Sequence, residues 1–424
     1  DRLYYYLLDG RYKFKQGASR THEFWFHIQH GSAQPPADFH KAVQRPPLYT
    51  VGLNAFNKSA AVTRLPEKKN SPFPPYETWV EAARKVYAKD RIESRAYGML
   101  NYGDWFGERV YNWGNMEYDT PWCFLQEYLR GGHADFYTWA EEAARHLIDV
   151  DTCHYHADSG EVGSQYLHSV GHVGDYYPEG YRERAIFSSR WSVSHTWVEG
   201  LFMYHLLTGD ARALESAMKT SNLLVGDLLN DYDFTNCRNS GWHLIHLAAA
   251  YKATGRKIFL SGARIIVDRV LERQHDTGGW ERLMVPGHCF CFPHRHMGNA
   301  GFMVGVLMAG LKRFYEATGE KRVRDAVVKA AEFCIDDMWV PENRAFRYTS
   351  CPHSSVGRSA DMGILKGIAA AYGFSGKQRL KDVLFEGVQS SMADRGTAQN
   401  RGVGKSISMP MRGACQVLVD LPGK

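Results

Sequence analysis

From Tyr76 onward apolar residues recur three and four apart, which is helical spacing, and one motif returns five times. An apolar stretch closes on an aromatic residue, a glycine follows, and a second amphipathic stretch begins. The copies are Glu127-Tyr128-Leu129-Arg130-Gly131-Gly132, Met203-Tyr204-His205-Leu206-Leu207-Thr208-Gly209-Asp210, Ala250-Tyr251-Lys252-Ala253-Thr254-Gly255, Phe314-Tyr315-Glu316-Ala317-Thr318-Gly319 and Ala371-Tyr372-Gly373-Phe374-Ser375-Gly376. Each glycine stands where a helix ends on a left-handed residue. The five copies are irregularly spaced, unlike the fixed period of a helical solenoid. Five helical hairpins and a lone helix near residues 76–90 give about eleven helices. The pattern predicts a mainly α chain: an (α/α)6 toroid of helical hairpins, one helix missing or irregular, with a small N-terminal β-rich segment.

That segment reads differently. Residues 3–8, a turn at Asp9-Gly10 and residues 12–15 predict a β-hairpin, and residues 21–29 another strand. Residues 31–75 are rich in proline and polar residues and predict a connector. The expected division is residues 1–75, a β-rich segment and connector, and residues 76–424, the toroid.

Connections at the glycine end of each hairpin are short. Those at the other end are long: 91–119, 150–192, 231–241, 275–298 and 338–360. Long structured loops in a compact domain are usually functional. All five feed the first helix of a hairpin, the inner helix of a toroid, so they crowd one mouth.

The 424 residues are 44% hydrophobic and 23% charged, which excludes a disordered, collagen-like or coiled-coil protein. The net charge of +5 is spread without a Lys/Arg block, so nucleic acid is not an expected partner. No apolar run of about 18 residues predicts a membrane span. The eight cysteines form no C-x-x-C pair and are too sparse for a disulfide scaffold. The chain opens on Asp1 without a signal-peptide pattern, so it reads as a mature product or a piece of a longer protein. A secreted or periplasmic setting is favoured over a cytoplasmic one. Oligomeric state is not legible.

Aromatic residues reach 13%, with 11 Trp and 24 Tyr, as suits either a large aromatic core or a surface that stacks sugar rings. The long loops hold most of the candidate chemistry. Asp104, Trp105, Asn115, Glu117 and Asp119 lie in the first, and His172, Tyr176, Tyr177, Arg184 and Arg190 in the second. His195 and Glu199 open one inner helix, Trp242 and His243 another, and His294, Arg295 and His296 close a further loop. Arginine forks bind carboxylates and histidine or tyrosine moves protons, so such a mouth suits an acidic oligo- or polysaccharide. Each residue also has a plainer reading as a cap or a packing group. Asp151 with His154 and His156 reads as a hydrogen-bonded loop ahead of a metal site. No cofactor is expected; a divalent metal is compatible but not predicted. There is no G-x-S-x-G, Walker A or dinucleotide fingerprint. Cys289-Phe290-Cys291, near His288 and His294, is a weak candidate for a thiol nucleophile.

Residues 90–375 resemble the YetA-like/exo-rhamnogalacturonan lyase family. The resemblance is carried by Tyr102-Gly103-Asp104-Trp105, Asn115-Met116-Glu117-Tyr118-Asp119, His146-Leu147-Ile148-Asp149-Val150-Asp151 with His154, and His195-Thr196-Trp197-Val198-Glu199-Gly200-Leu201 leading to Leu207-Thr208-Gly209-Asp210. It implies an N-terminal β domain, a β-sandwich and a C-terminal toroid, of which this chain would hold the sandwich's end and the toroid. The resulting expectation is a polysaccharide lyase, in a chain too short to carry all three parts, acting from chain ends on uronate-containing pectin such as rhamnogalacturonan. In that reading Arg184, Arg190 or Arg295 neutralises the uronate carboxylate. His172, His195 or His243 is the base, and Tyr176 or Tyr177 protonates the leaving oxygen. Trp105 and Trp242 stack the sugar, and Asn115, Glu117 and Glu199 hold hydroxyls. The alternative is a glycoside hydrolase using two carboxylates from Asp104, Glu117, Asp119, Asp175 and Glu199. A third reading is a non-catalytic carbohydrate-binding toroid.

Overall fold

The computed structural model describes residues 17–31, 38–44, 48, 52–59, 63–98, 100–108, 112–166, 193–226, 229, 233–394 and 402–421. Among these are fourteen α-helices. Two short ones, α1 (Phe39–Gln44) and α2 (Leu53–Ser59), precede α3 (Pro74–Glu93). Five hairpins follow: α4 (Thr120–Gly131) with α5 (Ala134–His146), α6 (Glu199–Thr208) with α7 (Ala211–Val225), α8 (Cys237–Thr254) with α9 (Lys257–Glu272), α10 (Gly301–Thr318) with α11 (Lys321–Met338), and α12 (Met362–Ser375) with α13 (Gln378–Asp394). A last helix, α14 (Gly404–Asp420), ends the described chain.

The hairpin turns form as their sequence dictates. Gly132, Gly209, Gly255, Gly319 and Gly376 all adopt positive φ, between 64° and 75°. Each donates its N–H to the carbonyl four residues earlier, at 2.7 to 2.8 Å. A side chain at such a position costs roughly 1 kcal/mol or more.

The first helix of each hairpin is apolar nearly all round and lies inside. The second buries one stripe: on α9 it is Phe259, Gly262, Ala263, Ile266, Val267 and Val270, spaced three and four apart. The inner helices α4, α6, α8, α10, α12 and α14 each pack on the next, and α14 returns to α4, closing a ring. Where α8 crosses α10, Gly241 and Gly310 let the backbones touch: a Cβ on Gly241 would stand 2.5 Å from the Leu307 nitrogen.

The helix that the turn motif does not predict is α14, the sixth inner helix. Its hairpin partner is α3, the first outer helix, more than three hundred residues away, so no tight turn marks the pair. Instead Asp90 of α3 accepts the N–H groups of Gly402 (2.7 Å) and Val403 (3.2 Å) at the start of α14. The α3 helix is fastened to α4 by a Tyr76 hydroxyl bond to Glu127 (2.8 Å) and by Arg130, which bridges Glu77 and Glu127.

The long connections carry three antiparallel hairpins: β1 (Phe106–Glu108) with β2 (Asn112–Trp113), β3 (Arg282–Leu283) with β4 (Met297–Gly298), and β5 (Trp339–Val340) with β6 (Ala345–Phe346). Residues 21–29, expected as a strand, are irregular, with Phe24, Trp25, Phe26 and Ile28 in solvent. They are tied to the toroid through Asp149, whose carboxylate accepts from Thr21 N (2.8 Å) and Oγ1 (2.9 Å). The expected hairpin of residues 3–15 lies outside the described residues. Among the described residues, no helix is long and apolar enough to cross a membrane.

Candidate active site inside the ring of inner helices

Several charged side chains of the inner helices turn toward one another inside the ring. Arg412 of α14 is buried there. Its Nη2 binds Glu199 Oε2 at 2.5 Å, and Arg313 of α10 holds Glu199 Oε1 at 2.8 Å. Arg412 Nη1 has no hydrogen-bond acceptor among the described residues; the nearest carboxylate oxygen, on Asp119, is 3.6 Å away. One turn earlier on α14 the buried Ser408 Oγ is likewise without a partner among the described residues. The Arg412 guanidinium lies over the rings of Trp122 (5.4 Å) and Trp242 (5.1 Å).

Lys366 of α12 projects into the same space. It is 4% exposed, and its Nζ stands 5.6 Å from the Trp242 ring without a hydrogen bond among the described residues. Burial first, and then the neighbouring Arg412 charge, pull its pKa from 10.5 to about 7, with Asp361 opposing. Groups from α4, α6, α8, α10, α12 and α14 thus meet at one place, which must be the axis. With Lys366 protonated, Lys366, Arg313 and Arg412 outnumber Asp119 and Glu199 by one charge. His246, stacked on Trp242, is held neutral by burial and by Arg412. Glu199 and Arg313 also line a cavity of about 120 Å³ between α6 and the C-terminal halves of α8 and α10.

At the long-loop side Glu117 is buried, with Lys405 Nζ at 3.0 Å and Arg238 at 4.0 Å. Tyr348, half exposed, stacks on Phe302 and lies 5.6 Å from the His288 ring. Burial and the nearby Arg282 and Arg238 keep His288 below its usual pKa.

The residues expected from the sequence fall into three groups. His172, Tyr176, Tyr177, Arg184 and Arg190 lie outside the described residues. Several others are buried in bonds that build the walls. Asp104 accepts the N–H groups of Trp105 (2.7 Å), Asn115 (2.9 Å) and Met116 (3.4 Å), and burial raises its pKa. Trp105 is not an open platform: it is fully buried on Gly114 and Gly404, and its indole donates to Thr120 Oγ1 (2.9 Å). Trp242 is also buried, edge-on to Trp197. The Asn115 carbonyl accepts from the Trp197 indole at 3.1 Å. Asp119 receives the Gly200 N–H at 3.1 Å on each oxygen, joining the starts of α4 and α6; burial raises its pKa to about 6. His243 is a core residue: it bonds the Leu224 carbonyl at 2.7 Å, and burial lowers its pKa to about 4, so it stays neutral. His195 is buried in a single turn just before α6. The third group is at the rim. His294 and Arg295 are exposed on the β3–β4 loop, and His296 bonds Ser350 Oγ at 3.2 Å. The Asp151-His154-His156 group does not converge: His146 lies 3.3 Å from Asp151, and His154 bonds the Ile148 carbonyl.

Lys366, Arg313 and Arg412 are absent from the sequence's candidates because they sit mid-helix, away from the loops. The signal was present: a lone cation in the apolar runs Ile364-Leu365-Lys366-Gly367-Ile368 and Met411-Arg412-Gly413-Ala414 has to be buried, and buried charge needs a reason.

No family profile matches the chain, and no curated protein matches its sequence. Solved structures do. A polysaccharide lyase superposes with a TM-score of 0.55 at 11% identity, covering 81% of this chain and 97% of that one. A glycosyl hydrolase family 88 protein from Bacteroides vulgatus gives 0.55 at 11%, covering 81% and 99%. An unsaturated glucuronyl hydrolase from Streptococcus agalactiae gives 0.52 at 12%, covering 85% and 92%. At these identities the likeness is one of fold: the chain is an α/α toroid of the kind these carbohydrate-processing enzymes have.

Proposed function

We propose that the chain is a carbohydrate-active enzyme that cleaves uronate-containing, rhamnogalacturonan-like pectin by β-elimination, acting from chain ends. The observation that carries this reading is Lys366 beside Arg412. Elimination removes the proton at C5 of a uronate and expels the oxygen at C4. The C5 proton becomes acidic only when the adjoining carboxylate is neutralised. Arg412, whose Nη1 has no hydrogen-bond acceptor among the described residues, and Ser408 supply a cation and a donor for that carboxylate. An amine with a pKa near 7 is half deprotonated at neutral pH, which suits a general base. Its lone pair takes the C5 proton, the electrons of that bond form the C4–C5 double bond, and the C4 oxygen leaves with a proton. Tyr176 and Tyr177 remain candidates for that last transfer, Arg184 and Arg190 for neutralising the carboxylate and His172 for the base; all five lie outside the described residues. Similarity of fold to a polysaccharide lyase supports this reading without deciding it.

Hydrolysis is the competing reading, and the same toroid serves it. It is less well supplied here, because Asp104, Asp119 and Glu199 already spend their oxygens on backbone N–H groups or guanidinium. The test is incubation with rhamnogalacturonan and other uronate polymers, following ultraviolet absorbance and reducing ends together. Rising absorbance with new ends supports elimination. New ends at flat absorbance mean hydrolysis, and saturable binding with neither means a carbohydrate-binding toroid.

A further inference from the structure

The β3–β4 loop has little apolar support. Val285, Phe290 and Phe292 point to solvent, while Met284, Cys289 and Cys351 form a small cluster of their own, apart from the toroid core. In it the sulfurs of Cys289, Cys291 and Cys351 all lie within 4.8 Å of one another. All three are free thiols. A tetrahedral ion with metal–sulfur distances near 2.3 Å spaces its sulfurs about 3.8 Å apart. Cys291 Sγ and Cys351 Sγ are 3.7 Å apart. His294 lies three residues after Cys291 on the same loop, exposed, with its ring nitrogens outside the group of mutually close sulfurs.

We propose that Cys289, Cys291 and Cys351 form a structural zinc site, which the His294 imidazole closes by turning in as the fourth ligand. Three thiolates and one imidazole are a soft, closed donor set that selects zinc over calcium or magnesium. Four protein ligands leave no open position, so the ion's role is to hold structure rather than to catalyse. It fastens the β3–β4 loop to the turn after β6. That clamp fixes Tyr348 and His288 at the mouth, since Tyr348 is three residues from Cys351 and His288 adjoins Cys289. Binding releases the three thiol protons to solvent. The spacing Cys289-Phe290-Cys291-Phe292-Pro293-His294 is local, but the fourth ligand is 60 residues on, which is why no zinc pattern shows in the sequence.

The experiment is metal analysis of the purified full chain, followed by chelation and reconstitution with cobalt(II). The expected result is one zinc per chain and, with cobalt, the thiolate charge-transfer band and visible bands of a tetrahedral site. Cys351→Ser and His294→Ala should each weaken zinc binding at least tenfold. Should Cys351→Ser fail to fold, the cobalt spectrum of the unaltered chain still decides. The proposal is overturned if the reduced chain takes up no zinc and shows no cobalt–thiolate band, or if both variants keep zinc undiminished. It is equally overturned if denatured protein titrates two thiols short of its eight cysteines, revealing a Cys291–Cys351 disulfide. None of these readouts depends on the chain's activity.

Discussion

Replacing Lys366 by Met tests the axial site through stability alone. The group's pKa falls from 10.5 in the unfolded chain to about 7 in the folded one. Between those values the unfolded chain binds a proton that the folded chain does not, so stability rises with pH, by about 1.4 kcal/mol per unit. Below pH 7 both states are protonated and the full cost of the buried charge is present. From pH 6 to 9 the folded amine loses its proton over roughly two units, so Lys366 ceases to oppose folding by about 2.7 kcal/mol. Methionine fills the same space without a charge and has no such dependence. Urea unfolding of both proteins at pH 6 and pH 9, followed by tryptophan fluorescence, gives the four free energies. Subtracting variant from unaltered protein cancels the groups common to both, including Asp119 with its pKa of about 6. The expected result is a variant more stable at pH 6, with an advantage that shrinks by about 2 to 3 kcal/mol at pH 9. A difference that stays constant to within about 0.5 kcal/mol would refute the reasoning: Lys366 would then keep one protonation state throughout and could not serve as a base tuned to neutral pH.

If Lys366 is the base, elimination slows as pH drops below about 7 and Lys366→Ala abolishes it while substrate binding persists; a rate flat from pH 5.5 to 8 contradicts this. Arg412→Ala leaves Glu199 with one of its two cations and Asp119 without any guanidinium, and should cost about 3 to 5 kcal/mol, read as a fall in urea midpoint. Trp105→Ala should also lose about 3 to 5 kcal/mol, because the ring is core; a variant of normal stability that only binds sugar weakly would restore it as a stacking platform. Asp90→Ala removes the carboxylate that holds the Gly402 and Val403 N–H groups just ahead of α14 and should cost about 1 to 2 kcal/mol, with faster hydrogen exchange at those two amides.

Much of the fold is local chemistry and was legible. Gly132, Gly209, Gly255, Gly319 and Gly376 must end helices, because each sits where only a residue without Cβ takes positive φ cheaply, and the apolar period on either side fixes which helix is inner and which outer. From that alone follow the hairpins, the toroid and the side on which the long loops gather. The sixth inner helix was not legible. Its pairing with α3 joins the two ends of the chain, and nothing short of the folded ring brings Asp90 to Gly402.

The site divides in the same way. Sequence reasoning went to the loops, since function concentrates there, and it found residues such as Asp104, Asp119, Glu199 and His243, which the tertiary structure spends on backbone N–H groups, guanidinium and a carbonyl. The chain's own pattern determined that Lys366 and Arg412 are buried, because they interrupt apolar helices. Only the closed ring decided that helices distant in sequence aim those two cations at one point. There the loss of water draws an ordinary lysine toward neutrality and leaves a guanidinium nitrogen without an acceptor among the described residues. The three sulfurs follow the same rule: their residue types are written in the sequence, and their convergence is a property of the fold.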